Sequence, residues 1–189
     1  MTSARLNAKE ATATTVKIVS GLALIILILN SIFFIQLYFA GNLKYQASAL
    51  EISGAVAALP EITSETQVSQ TFFANHDGLS SVAVLVGTYM RKNNVQLALT
   101  LTDQAGNVLR SKTFSLLNQA DNSYLKFSFD PILNSKGETM TISVKSPDSK
   151  AGNAVTLWST GSNVYPQGEL RVNDKYLPSD LVLSVKYLQ

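Results

Sequence analysis

The residues of this chain whose types could carry catalytic chemistry are few and scattered. His76 is the only histidine, and it directly precedes Asp77. A His and Asp pair belongs to the catalytic triad of serine hydrolases, but the Gly-x-Ser-x-Gly nucleophile segment is absent. Asn-His-Asp-Gly is also the composition of a tight turn. We therefore interpret residues 75–78 as a turn and predict that the protein is not an enzyme.

Two further loops contain side-chain oxygens that could bind a metal ion. Asp103 and Asn107 enclose a Gly between two alternating runs, but they lack the carboxylate density of a Ca²⁺ loop, so a hairpin is predicted. Asp148 and Asn153 leave two interpretations open: a Ca²⁺ or sugar-hydroxyl contact, or side-chain bonding within a turn. We predict no metal and no other cofactor, and keep both residues as ligand-binding candidates. The absence of cysteine excludes thiolate zinc sites and disulfides.

Three more candidates could contact a carbohydrate. Arg91 and Asn93 follow an apolar strand and supply planar donors suited to hydroxyl pairs, and a solvated loop is the other explanation for them. Trp158 alternates with Leu157, so its indole is predicted to face the opposite side of the strand. There it would provide a stacking platform for a sugar ring, whereas a tryptophan between two sheets would belong to the core. Glycoside hydrolysis needs two converging carboxylates, and spacing along the chain identifies no such pair.

Charge is concentrated at the beginning of the chain. The first 40 residues hold three basic side chains and one acidic, so 12 of the chain's 15 basic and 12 of its 13 acidic residues remain for the rest. A neutral remainder without a basic run excludes nucleic acid as a partner, because phosphates require clustered Lys and Arg.

Residues 18–40 form an uncharged apolar segment that predicts a transmembrane helix, since about 20 apolar residues cross a bilayer. Arg5, Lys9 and Lys17 precede it, so the positive-inside rule places residues 1–17 in the cytoplasm as a tail. The expected location is the cell membrane, with a single span and an extracytoplasmic C-terminal domain. A cleaved signal peptide ending near Ala47-Ser48-Ala49 is the competing interpretation.

The helix also raises the question of self-association. A pilin-like filament subunit would use such a segment in its core, although the residues around Gly21 match a prepilin processing site only in part. Asn30 and Gln36 are the strongly polar side chains of the segment, and they are either tolerated or form hydrogen bonds to a partner helix. A homo-oligomer through this helix is therefore a further hypothesis.

Beyond the predicted span, the pattern changes. Residues 41–65 are Ala-rich up to Pro60 and are predicted to form a short helical stalk or linker. Residues 66–189 alternate apolar and polar side chains in about nine short runs, without a convincing helix. This pattern predicts an all-β domain, an antiparallel β-sandwich of jelly-roll type.

Several motifs of the outer domain resemble a known domain. They are Thr88-Tyr89-x-Arg91-Lys92-Asn93, Asp121-Asn122-x-Tyr124, Phe127-x-Phe129-x-Pro131-Ile132 with Ser135-Lys136-Gly137, the run from Ser146-Pro147-Asp148-Ser149 to Leu157-Trp158, Tyr165-x-x-Gly168, and Asp180-Leu181. Together they resemble the β-sandwich domain of many uncharacterised bacterial membrane proteins, which in some cases is attached to polyprenol-sugar glycosyltransferases. The resemblance implies an extracytoplasmic jelly-roll-like module in contact with glycans, and no established activity.

The sequence thus predicts a membrane-anchored envelope protein whose β-sandwich binds a glycan or a protein partner. Its ligand-binding candidates are Arg91, Asn93, Asp148, Asn153 and Trp158. The alternative is a structural assembly subunit, either pilin-like or an accessory chain of a membrane glycosyltransferase.

Overall fold

The computed structural model describes residues 20–36, 46–55 and 57–188 of the 189-residue chain. It divides into two compact units, residues 1–44 and 45–189. The predicted cytoplasmic tail, residues 1–17, lies outside the described residues. So do residues 18, 19 and 37–40 of the predicted span.

Residues 20–36 form helix α1. Its side chains are exposed and mostly apolar, as at Leu27 and Phe34, which are 65% and 66% exposed. The amide of Asn30 donates to the Ile26 carbonyl one turn earlier, at 2.8 Å, so this donor is satisfied within its own helix. Among the helices that the structure describes, none combines the length and the hydropathy that a membrane crossing requires.

The second unit is built from antiparallel strands. In chain order they are β1 (Gln46–Ile52), β2 (Ala57–Ala58), β3 (Gln67–Phe73), β4 (Leu79–Gly87), β5 (Gln96–Thr102), β6 (Val108–Ser115), β7 (Ser123–Ile132), β8 (Thr139–Lys145), β9 (Thr156–Ser159), β10 (Leu170–Val172), β11 (Lys175–Leu177) and β12 (Leu183–Leu188). The first sheet contains β1, β12, β4 and β7 side by side, with β9 and β2 also joined to it through β4. The second has the order β11-β10-β3-β8-β5-β6.

Alternation along the strands divides each sheet into an inner and an outer face. Val82, Val84 and Val86 of β4 are fully buried, as are Leu99 of β5 and Ile142 of β8. Inner residues of both sheets belong to one apolar cluster. The rings of Phe114 on β6 and Phe127 on β7 meet edge to face across the two sheets, 6.2 Å apart. The predicted β-sandwich is confirmed. The nine predicted runs correspond to β3–β10 and β12, whereas β1, β2 and β11 were not predicted.

The connections between the sheets follow a regular scheme. The chain passes from β3 in the second sheet to β4 in the first, returns to β5 and β6, crosses to β7, and returns to β8. The four-strand sets β1-β12-β4-β7 and β3-β8-β5-β6 are thereby interleaved, which is the connectivity of a jelly roll.

The predicted helical stalk is wrong within the described residues. Residues 46–52 form β1, which pairs with β12, and the sandwich begins there instead of at residue 66. Ile52 is buried and Leu50 packs against the core, whereas Glu51 between them is exposed. The alanines favour a helix locally, but the free edge of β12 offers a ladder of backbone hydrogen bonds, and tertiary context outweighs propensity.

A buried polar contact joins the start of β12 to the second sheet. The Asp180 side chain is fully buried, and its Oδ2 accepts the N–H groups of Val164 and Tyr165 at 2.7 and 2.8 Å. Gln70, also fully buried, donates its side-chain amide to Asp180 Oδ1 at 3.4 Å and accepts the Leu181 N–H at 2.8 Å. Because buried polar groups must be paired, these bonds determine how the 160–168 loop and β12 meet.

We expect Asp180→Ala to lower the free energy of unfolding by about 3 kcal/mol, because it leaves the Val164 and Tyr165 N–H groups without their acceptor. The measurement is urea unfolding of the full chain in detergent. Asp130→Ala, a change at an exposed Asp on β7, is the control and should change stability by less than about 0.5 kcal/mol. Equal stability of the two variants would show that the buried carboxylate does not hold this junction.

Candidate functional site: the outer face of the first sheet

The outer face of the first sheet carries mostly small side chains along its central strand. Ser81, Ala83 and Gly87 of β4 alternate with the inward valines, and Ser184 of β12 pairs with Ala83. The larger Leu85 lies between Ala83 and Gly87 on the same face. Larger side chains stand on the neighbouring strands and loops. A floor of small residues between larger ones produces two hollows, one near each end of this face.

The first, here called the tryptophan hollow, has a volume of about 150 Å³. Its lining consists of Ala58, Gly87, Tyr89, Asp121, Asn122, Thr156 and Trp158. This volume is below the several hundred Å³ of pockets that enclose a whole small molecule. The shape suits one face of a ring held against an aromatic side chain.

Trp158 is fixed in this hollow by one hydrogen bond. Its indole Nε1 donates to Asn122 Oδ1 at 2.8 Å, and the residue is half-buried, while Leu157 beside it is fully buried. A Cβ added at Gly87 would lie 3.0 Å from both the indole Nε1 and Thr156 Cγ2. Glycine is therefore the residue that lets the indole lie this close to β4. Trp158 faces away from Leu157 and lines the hollow, so the structure decides between the two alternatives that the sequence left open for it.

Tyr89 stands at the rim, in a loop with unusual backbone geometry. Tyr89 and Met90 have φ values of 58° and 57°, in the left-handed region that residues with side chains rarely adopt. Both are exposed, at 43% and 90%. Two successive residues in this conformation cost free energy that contacts elsewhere in the loop must offset.

Arg91 supplies part of that compensation. Its guanidinium lies 4.6 Å from the Tyr89 ring centroid and donates to Glu61 Oε1 at 2.6 Å and to the Ala154 carbonyl at 3.1 Å. The other Glu61 oxygen accepts the Gly152 N–H at 3.0 Å. The guanidinium of Arg91, followed by the Gly152 N–H, lowers the pKa of Glu61, so this carboxylate stays charged at neutral pH.

Asp121 holds the other end of the same loop. Its Oδ1 accepts both the backbone N–H and the hydroxyl of Thr88. The backbone N–H of Thr88 is the main cause that lowers the pKa of Asp121. Its Oδ2 accepts a hydrogen bond from the Asn122 amide at 3.2 Å and has lone pairs left to accept another. The hollow therefore contains acceptors for hydroxyl groups beside its aromatic rings.

The second hollow, here called the lysine hollow, has a volume of about 260 Å³. Its lining consists of Glu51, Ser81, Ala83, Tyr124, Lys126, Ser184 and Lys186. Tyr124 is 44% exposed, and its partial burial, followed by the Glu51 charge, raises the pKa of its phenol. Ala83 and Gly87 are four residues apart on β4, so about 13 Å separate the two hollows along the strand.

The structure distributes the predicted ligand-binding candidates unequally. Trp158 lines the tryptophan hollow, and Arg91 supports its rim through Tyr89. Asn93 is only 1% exposed, and its amide donates to the Thr88 carbonyl, so it serves the loop instead of the surface. Asp148 accepts the Gln96 N–H at 2.9 Å, and the Asn153 backbone closes a turn with Lys150. The last two candidates line neither hollow.

The two turn predictions are confirmed. His76 lies in the bend between β3 and β4, where its carbonyl accepts the Ser135 hydroxyl at 2.8 Å. Asp103 and Asn107 close the β5–β6 hairpin through a bond of 2.8 Å from the Asn107 N–H to Asp103 Oδ1. Within the described ranges, no group of three His, Cys, Asp or Glu side chains is placed to hold a metal ion.

Sequence reasoning missed Tyr89, Asn122 and Tyr124 as site residues. A signal for Tyr124 existed, because it alternates with Leu125 and therefore faces outward. Asn122 gives no local signal, since its role depends on Trp158, which is 36 residues later in the chain.

A larger depression, of about 500 Å³, lies between β6 and β7. Its most suitable binding group, the Arg110 guanidinium, already donates to the Asp130 carbonyl at 3.0 and 3.3 Å and so bridges the two sheets. Although this depression is larger, its main donor is already used to hold the two sheets together. The outer face of the first sheet is therefore the stronger candidate.

The sequence matches no protein-family model and no curated protein. Among solved structures, the chain is similar to the CBM36-1 domain of a multidomain xylanase from the hindgut metagenome of Trinervitermes trinervoides, with 12% identity and a TM-score of 0.33 over 74% of this chain and 89% of that one. It is also similar to the infectious bursal disease virus VP2 subviral particle, with 15% identity and a TM-score of 0.26 over 77% of this chain and 39% of that one. Similarities this distant identify no relative and assign no function.

We expect Asn122→Gly to release the Trp158 indole. Asn122 has a φ of 52°, which glycine adopts without strain. The variant therefore loses the acceptor of the indole, at a cost of about 1 kcal/mol, together with the exposed bond from the Asn122 amide to Asp121. The chain has one tryptophan, so one indole N–H signal reports on the bond in a ¹H–¹⁵N spectrum of the full chain in detergent. That signal should move upfield.

Asn173→Gly is the matched control, because Asn173 also has a positive φ, 47°, and lies outside both hollows. Its indole signal should stay in place. An unchanged signal in Asn122→Gly as well would contradict the geometry described for the tryptophan hollow.

Proposed function

We propose that the β-sandwich is a carbohydrate-binding module that holds a glycan chain against the outer face of its first sheet. One observation carries this proposal: exposed or half-exposed aromatic side chains stand over a floor of small residues on a single sheet face. Trp158 and Tyr89 line one hollow and Tyr124 the other. Aromatic rings of this kind offer a flat apolar surface with little conformational entropy to lose.

The polar groups around these rings match the second requirement of sugar recognition. A pyranose presents C–H groups on its faces and hydroxyls around its edge. Asp121 and Asn122 offer acceptors beside Trp158, and both are held in place by hydrogen bonds to the 88–90 loop or to the indole. Because the site is already ordered, binding does not have to pay for arranging it.

The test is calorimetric titration of the full chain in detergent with β-1,4-linked hexasaccharides of glucose, mannose and N-acetylglucosamine. We expect at least one of them to bind and Trp158→Ala to weaken it about tenfold, the equivalent of about 1.4 kcal/mol. Tyr176→Ala removes an aromatic side chain that is 49% exposed on β11 and should leave the affinity unchanged. Absence of binding, or equal losses in both variants, would overturn the proposal.

We also propose that residues 18–40 anchor the chain in the cell membrane, with the N-terminus in the cytoplasm and the β-sandwich in the envelope. The support is the charge asymmetry of the sequence and the apolar, exposed side chains of α1. The α1 helix itself, residues 20–36, is shorter than the roughly 20 residues of a typical span, so the proposal includes flanking residues outside the described ranges. Such a tether would keep the module beside the glycans of the cell surface.

We expect the full chain, expressed in bacterial cells, to remain in the membrane pellet after alkaline carbonate extraction, and Ile25→Glu with Ile28→Glu to release it. A charge near the centre of a span costs about 2.5–3.5 kcal/mol, so two should prevent insertion. Leu133→Glu, at a 73% exposed position of the second unit, is the control and should stay in the pellet. Alkaline phosphatase fused after Gln189 should be active, and an inactive fusion would contradict the orientation.

A further inference from the structure

The lysine hollow differs from the tryptophan hollow in charge. Lys126 and Lys186 stand on either side of β4, while Glu51 is the acidic side chain of the lining. The tryptophan hollow contains Asp121 and no lysine or arginine. A ligand that extends across both hollows would therefore meet basic side chains in one and an acidic side chain in the other.

The register of the strands explains the shape of the lysine hollow. Glu51, Ser184, Ala83 and Lys126 occupy one row across β1, β12, β4 and β7, so small side chains lie between two long ones. In the next row Lys186 pairs with Ser81. Lys126 is on β7 and Lys186 is on β12, and β4 lies between these strands, which separates them by about 10 Å. Both ammonium groups can therefore reach a single ligand over the serine and alanine floor.

Lys186 is half-buried, and within residues 20–36, 46–55 and 57–188 it forms no ion pair with Glu51 or another carboxylate. Partial burial strengthens the attraction between its ammonium group and an anion, because the local dielectric is lower than that of water. Tyr124 places a ring beside these charges. An aromatic platform next to two ammonium groups fits a sugar ring that carries an acidic substituent.

We propose that the lysine hollow binds an anionic sugar unit, such as a uronate, of the glycan whose neutral part lies on Trp158. This inference rests on the proposed function, because it assigns the composition of the chain that the same face binds. The Lys126 and Lys186 ammonium groups contact the carboxylate, the Tyr124 ring contacts the sugar face, and the Ser81 and Ser184 side chains form the floor.

The experiment compares each of the three hexasaccharides with its C6-carboxylate form, in which the C6 hydroxyl carbon has been oxidised, by titration of the full chain in detergent. We expect the carboxylate form to bind at least about tenfold more tightly at low ionic strength. The difference should shrink in 0.5 M NaCl, because salt screens partly exposed charges. Lys186→Gln should lower the ratio of the two affinities, carboxylate form over neutral form, several-fold, because one of the two ammonium groups is lost.

Lys145→Gln is the matched control, since Lys145 is an exposed lysine at the end of β8 in the second sheet. It should not change the preference for the carboxylate form. Neutral oligosaccharides that bind in a Trp158-dependent manner, without a preference for the carboxylate form, would overturn this inference and leave the proposed function standing. A preference that Lys145→Gln lowers as much as Lys186→Gln would also overturn it. If neither form binds, both proposals fail.

Discussion

The alternation of side chains along β4 is the constraint on which the rest of this structure depends. This strand pairs with β7 on one edge and with β12 and then β9 on the other. Its inward valines fill the centre of the sandwich, and its outward residues, apart from Leu85, are small. A shift of one residue would exchange the two sets, exposing the valines and burying the serines. The buried core and the open outer face therefore have the same origin.

The tryptophan hollow depends on this strand and on three loops that converge at its end. Gly87 lets the indole approach, Asn122 orients it, and Glu61 joins the Arg91 loop to the segment around Gly152. The unfavourable backbone of Tyr89 and Met90 is offset by contacts that Asp121 and Arg91 make with the same loop. Strain that is held in this way is common at ligand sites, because a loop with one arrangement binds without being reordered.

Several of the motifs named in the sequence analysis have structural roles. Asp180 binds two backbone N–H groups of the 164–165 segment, and Gly168 lies where a Cβ would be 2.2 Å from the Thr71 carbonyl oxygen. Asn93 is buried in its own loop. The motifs near Asp121 and Trp158 instead contribute side chains to the outer face. The same group of motifs therefore includes residues that stabilise the fold and residues of the candidate site.

The alternating pattern was sufficient to predict β3–β10, β12 and the sandwich, because period-two burial is a local property. Leu99 and Ile142, for example, are buried as their spacing predicts. The same reasoning failed at β1. Its Ala-rich segment has a high intrinsic preference for helix, and its strand conformation depends on hydrogen bonds to β12, which begins more than 130 residues later.

The sequence by itself determined the fold class of the domain and the two turns around His76 and Asp103, since each depends on neighbouring residues. For Trp158 it left open whether the side chain belongs to the core or to the outer face. Only the tertiary structure decided which outward residues share a surface. Trp158 shares a hollow with Asn122 and Tyr89, and Tyr124 shares one with Lys186, because β4 brings β7, β9 and β12 to its edges. The pairing of distant strands is set by the burial of the whole core, so no local pattern could have identified these neighbours.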